Sequence, residues 1–227
     1  LRIRQNQVAT TELFTTLKLV GVASLITVVV SFLIAYASVI PIVRPLALGI
    51  SKLRFLGLTG LVFPFTLATG GGFRLKVALL VFGMTTFLAT SLVRIVQEVP
   101  RSQLDYVRSL GASESRVMWE AVVRGTLDRA IDAVRQNVAM GWSMITMVEG
   151  IARSDGGVGA LLLAENKHFR LAEVYAVLVV IFVVGALLDV AIGAFGRVAC
   201  PYASEGATDE ERAPVNHEEE DLETASS

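Results

Sequence analysis

The sequence predicts an all-α integral membrane protein of about five transmembrane helices, with a helix-turn-helix element held in the cytoplasm. Three observations predict it. Apolar residues make up 53% of the 227, charged residues only 18%, and the mean hydropathy is +0.61. Several uncharged runs are long enough to cross a bilayer. The charge is also split along the chain: Glu205 to Glu223 carries nine of the 21 acids and a single base, Arg212. The formal charge of −1 is therefore a cancellation between a cationic apolar body and an acidic tail. That balance argues against a soluble enzyme and suggests no nucleic-acid partner.

The spans follow in order. Leu19 to Ile40 is uncharged over 22 residues, about 33 Å as a helix. Phe55 to Phe73 is uncharged between Arg54 and Arg74, with Pro64 expected to kink it. Val77 to Val93 is uncharged between Lys76 and Arg94, and Val174 to Gly196 contains one charge, Asp189. The fifth, roughly Ala130 to Ile151, includes Asp132, Arg135 and Glu149. A helix that polar belongs in the centre of a bundle, away from lipid; an amphipathic surface helix is the alternative.

Between the third and fifth of these runs, Gln97 to Arg129 carries Arg101, Arg108, Arg116, Arg124 and Arg129, which places it in the cytoplasm by the positive-inside rule. Arg74, Lys76 and the stretch from Ala152 to Glu173 then lie outside. With five spans and an outside start, a sixth span upstream of Leu1 would restore an inside N-terminus. The transmembrane domain is expected over 1–203. The tail 204–227 has almost no apolar content and is expected to be disordered.

The cytoplasmic stretch has its own punctuation. Pro100 closes the preceding span, and Ser102 is a fair N-cap. Leu104, Val107 and Leu110 form a narrow apolar stripe, and Gly111 stands where a helix end wants positive φ. Ser113 can cap a second helix ending near Gly125, with Thr126 capping the next span. This pattern suits a protein-docking element, and equally a connecting loop folded on its own bundle.

Here the chain resembles the binding-protein-dependent ABC import permeases. Asp105-Tyr106-Val107 followed by Gly111-Ala112-Ser113 is similar to their EAA motif, with Asp for Glu, and Tyr and Val for the two alanines. Ala121 and Val123 match the later hydrophobic pair, and Arg124 stands where proline is usual. The run from Ser109 to Arg116, the Glu149-Gly150 step before Asp155-Gly156-Gly157-Val158-Gly159, and Leu187-Leu188-Asp189 resemble the nitrate/sulfonate/taurine-type branch. The resemblance covers roughly Thr10 to Arg197. It implies a noncatalytic permease, a homodimer in the inner-membrane lipid, which moves a small solute by alternating access. It also implies a separate cytoplasmic ATP-binding subunit and an external solute-binding protein. Asp105, Tyr106, Val107, Gly111, Ala112, Ser113 and Arg116 would couple to the ATPase subunit. An ion-gradient-driven transporter, or less readily a membrane-embedded enzyme using Glu149, Asp132 and Asp189, are the rival readings.

Other residues carry two readings each. Glu149 either holds the external loop or lines the translocation path. Gln136 and Asn137 are expected to make interhelical hydrogen bonds on the same polar helix. Trp142 is expected to pack, with a path-lining role as the alternative. Asp189 is expected to pair with Arg197. Gly156, Gly157 and Gly159 lack a following phosphate-loop lysine and are not read as an ATP site. Cys200 alone excludes a disulfide within the chain, and His168 and His217 are too few for a histidine metal site. No metal or cofactor is expected.

Overall fold

The computed structural model describes residues 2–38, 45, 49–152 and 155–199. The tail 204–227, Cys200 and most of the 41–48 connection lie outside the described residues. What is described is helical. The first helix, α1 (Arg2–Ala37), is followed by a short 3-10 turn (Ser51–Phe55), α2 (Leu58–Thr69) and α3 (Gly72–Gln97). Then come α4 (Arg101–Ser109), α5 (Glu114–Val117), α6 (Leu127–Ile151), α7 (Val158–Lys167) and α8 (Leu171–Ala199).

Among the described residues, three helical stretches are long and apolar enough to cross a membrane: Thr10–Ala37, Gly72–Gln97 and Leu171–Gly196. The span expected over Ala130 to Ile151 lies within α6, a continuous helix of 25 residues, about 38 Å long, that carries its charges with it.

The run from Phe55 to Phe73 does not form one span. Leu56 and Gly57 are extended, at ψ 113° and 134°, so the helix begins only at Leu58. Gly70, Gly71 and Gly72 all have positive φ and turn the chain directly into α3. This leaves a 12-residue helix, about 18 Å, too short to cross a bilayer of about 30 Å. Pro64 sits inside it. Leu58 packs beside Gly83, so α2 covers only the half of α3 between Gly72 and Gly83.

Side-chain pairs set the directions. Glu98 pairs with Arg129, Met84 lies against Gly141, and Lys76 reaches Gly156, so α3 and α6 run antiparallel. Thr16 meets Glu149 at one end of the bundle, while Ala35 packs with Leu88, Leu92 and Ala130 toward the other. On α8, the Trp142 contact at Ile181 and the Arg135 contact at Asp189 make it antiparallel to α6 as well. Helix α6 therefore packs against α1, α3 and α8, but it leaves the face with Asp132, Gln136 and Ser143 exposed, and the more buried helix is α3.

The core is layered along these contacts. Leu19, Ala23, Leu79, Leu80, Met84, Trp142, Ile145 and Val148 form the larger cluster. Glycines permit the closest approach: a Cβ at Gly141 would sit 2.6 Å from the Met84 sulfur. The face of α8 bearing Val179, Phe182, Leu187, Val190 and Phe195 is exposed, as a lipid-facing surface would be. The stretch expected as an external loop contains a helix, α7, which packs on α6 and α8.

Candidate functional site

The helix-turn-helix forms as predicted in outline, with its local devices rearranged. Pro100, at φ −64° and ψ 139°, occupies the N-cap position of α4, and Ser102 lies inside the helix without capping it. Proline suits this boundary because it has no N–H to leave unpaired. Asp105 consequently falls beyond the first turn, where it pairs with Arg108 at 3.1 Å, both exposed. Gly111 has φ +77°, the left-handed conformation its position predicts, and its N–H donates to the Arg108 carbonyl at 2.9 Å. No atom lies within 4 Å of where its Cβ would be, so backbone conformation, not crowding, demands glycine.

Beyond the turn, Ala112 is half-buried, and Ser113 and Arg116 are exposed. Ser113 accepts the Arg116 and Val117 N–H groups through its carbonyl. The second helix does not end near Gly125. It widens into a π-helical turn over Met118–Val123, tightens at Arg124–Thr126 and passes straight into α6. Thr126 does not cap α6: its hydroxyl donates back to the Val122 carbonyl at 2.5 Å.

The apolar stripe is only partly covered. Leu104 and Val107 are half-buried, but Leu110 is exposed, as are Tyr106 and Trp119. Tyr106 and Val107 line a shallow groove with Ser102, Gln103, Glu120 and Gly125. Trp119 was not singled out from the sequence, although an aromatic among charged residues on an exposed helix is a readable signal.

The opposite end of the bundle is built differently. Glu149 is fully buried and accepts two hydrogen bonds, from the Thr16 hydroxyl and from the Gly159 N–H, both at 2.7 Å. Thr16 in turn accepts the Val158 N–H at 3.0 Å, and Glu12 accepts the Gly157 N–H. Lys76, read from the sequence as a base flanking its span, is buried inside α3 and donates to the Gly156 carbonyl at 2.6 Å. Its charge acts attractively on Glu149.

Gly156 and Gly157 have φ of +69° and +112°, and a Cβ on Gly157 would overlap the Glu149 carboxylate. The glycines thus cradle carboxylates of their own chain. Glu12, Thr16 and Lys76 were missed in the sequence; the available signal was the i, i+4 spacing of Glu12 and Thr16, which places them on one helix face.

The remaining candidates on α6 face different ways. Gln136 is exposed, with Asp132 and Ser143. Asn137 is buried, and neither of its amide atoms has a partner among the described residues, so the expected interhelical hydrogen bond is absent. Trp142 is buried and donates its ring N–H to the Ile181 carbonyl at 2.9 Å. Asp189 pairs with Arg135: two bonds of 2.7 and 2.6 Å form a bidentate fork between α6 and α8, while the side chain of Arg197, the partner expected from the sequence, lies outside the described residues. Among the described residues, no three His, Cys, Asp or Glu side chains converge to hold a metal.

Comparison with known proteins adds three findings. A family model described as "Binding-protein-dependent transport system inner membrane component" matches residues 13–198. The taurine transport system permease protein TauC of Escherichia coli (strain K12) is 26% identical over 130 residues, which is 57% of this chain and 47% of the relative. The match thus spans about half the length of that curated protein. A chain of the MetNI methionine ABC transporter, solved in inward-facing conformations, superposes with a TM-score of 0.70 at 15% identity. That superposition covers 85% of this chain and 96% of the other, and it shows a shared fold. With the profile covering most of the residues and the fold agreeing, this chain belongs to the binding-protein-dependent transport system inner membrane component family.

Proposed function

We propose that this chain is the permease subunit of an ATP-driven importer, and that it works as a homodimer in the inner membrane without catalysing a reaction itself. The observation that carries the proposal is the exposed turn at Gly111 within a chain of this family: a left-handed glycine between two helices, flanked by Tyr106, Leu110 and Trp119 in solvent. Exposed aromatic and apolar groups on a charged element fit a protein partner better than water. That partner is a cytoplasmic ATP-binding subunit, docked on Asp105, Tyr106, Val107, Gly111, Ala112, Ser113 and Arg116.

Gly156 and α7 then lie at the outer face, where a solute-binding protein delivers a small solute. The similarity to TauC supports a taurine-like or other sulfonate solute, with nitrate as a related anion. The translocation path would run along the exposed face of α6 that carries Gln136; Asn137, Trp142 and Glu149, also expected there from the sequence, are buried within the chain. Transport is by alternating access, driven by closure of the ATPase subunits.

The test is affinity purification of the chain from membranes, followed by uptake in vesicles. Co-purification of an ATPase subunit and ATP-dependent uptake of labelled taurine are the expected results. Uptake driven by an ion gradient, with no ATPase subunit bound, would overturn the proposal.

A further inference from the structure

At the Gly156 end, three consecutive backbone N–H groups are each taken by a side chain from elsewhere. Gly157 goes to Glu12, Val158 to Thr16 and Gly159 to Glu149. The preceding carbonyl, of Gly156, is held by Lys76. The four side chains come from α1, α3 and α6, so a turn of four residues joins three helices that are distant in sequence.

Every polar atom named in this network has a partner, and its two central charges, Lys76 and Glu149, are almost fully buried. A satisfied buried network in a low-dielectric site is rigid, because opening it exposes several groups to the cost of lost hydrogen bonds together. The glycines add a second constraint. Gly159 approaches so closely that a Cβ there would lie 2.6 Å from the Thr146 Cα. The turn therefore has little room to shift as a flap.

We propose that the turn from Gly156 to Gly159 is a permanent brace, with Glu149 as its positioning residue, so that the ends of α1, α3 and α6 at this side move as one rigid body during transport. The brace itself rests only on the structure; its staying closed during transport rests on the permease reading. A loop that opens and closes with each cycle would instead act as a gate, and the two behaviours differ in what the amides experience.

The experiment is amide hydrogen exchange on the purified transporter in lipid nanodiscs, following a peptide that covers 156–160. Glu149→Ala and Thr16→Val are each expected to raise exchange in that peptide at least about tenfold, while peptides over 101–113 stay unchanged. Should Glu149→Ala fail to fold, Thr16→Val alone decides. In the wild-type complex, exchange at 156–160 is expected to be the same within about twofold with and without ATP.

Unchanged exchange in Thr16→Val would overturn the brace. A rise of about tenfold or more on adding ATP to the wild type would show a gate instead. If no ATPase subunit co-purifies, the permease reading fails, yet the exchange of the variants still reports on the brace.

Discussion

Lys76 and Glu149 lie at 1% and 0% exposure at the Gly156 end, each fixed by short hydrogen bonds. At the Gly111 end, the Asp105–Arg108 and Glu120–Arg124 pairs lie in solvent, each within one helical turn. Both ends use glycine at positive φ, but for different ends. Gly157 is left-handed and crowded against a carboxylate, whereas Gly111 is left-handed with open space around it. Buried charged groups held by hydrogen bonds resist change, because losing one leaves its buried partners unsatisfied. Exposed pairs contribute little to folding and remain free to exchange partners. One end is built to hold the bundle together, and the other to be met by something else.

The largest expected effect breaks the first half of this contrast. Glu149→Ala leaves the buried Thr16 hydroxyl and the Gly159 N–H without their acceptor, which should cost about 1–3 kcal/mol for each group. Thermal unfolding in detergent should show it as a large drop in Tm. A Tm within a degree or two of wild type would mean that the Glu149 hydrogen bonds are dispensable. Thr16→Val is expected to be milder, at about 1–3 kcal/mol, since it removes one donor and one acceptor but leaves both charges. The same melting curves rank the two variants.

Gly111→Val tests the other end. A β-branched residue at φ +77° is strained by about 1–2 kcal/mol, enough to reshape an exposed turn but not to unfold the bundle. The expected outcome is a normal Tm with loss of ATPase-subunit binding and of uptake. Full uptake by this variant would remove Gly111 from the docking surface.

The smallest effect sharpens the comparison most. Asp105→Asn should leave stability unchanged, because its pairing with Arg108 lies within the same exposed helix. If the carboxylate meets a base on the ATPase subunit, Asp105→Arg should weaken association far more than Asp105→Asn, and added salt should weaken the wild-type complex. Equal affinities in all three chains, at two salt concentrations, would make Asp105 a local helix residue.

What could be read in the sequence follows the range of the interactions. Gly111 and its two short helices were legible, because a left-handed turn is decided by residues a few positions apart. The polar helix α6 was legible as a packed member of the bundle for a similar reason: charges on a long helix in an apolar chain have few places to go. The brace was legible as Glu149 holding the glycine-rich turn that follows it. Its other partners, Thr16 and Lys76, lie 133 and 80 residues from the groups they bind, and no local pattern says which groups those are.

Asp189 shows the same limit. A base, Arg197, stands eight residues on along the same helix and is what local spacing offers, but Arg135 reaches Asp189 from the facing helix, 54 residues away. The shortness of α2 was hidden for a different reason. Leu56 and Gly57 are as apolar as a span requires, and hydropathy does not register that their backbone is extended.

The helical path from Glu114 through the widened turn at Met118–Val123 to Ile151 has no loop within it. A segment joined to its scaffold in this way cannot be exchanged as an independent cassette. Each residue added or removed between Trp119 and Leu127 would rotate Trp119 by about 100° relative to α6, and displace it by about 1.5 Å along its axis. A chimera that borrows a docking element from a relative must therefore match its length before its chemistry, and a donor of perfect sequence but wrong phase would present its contacts to the membrane or to the bundle.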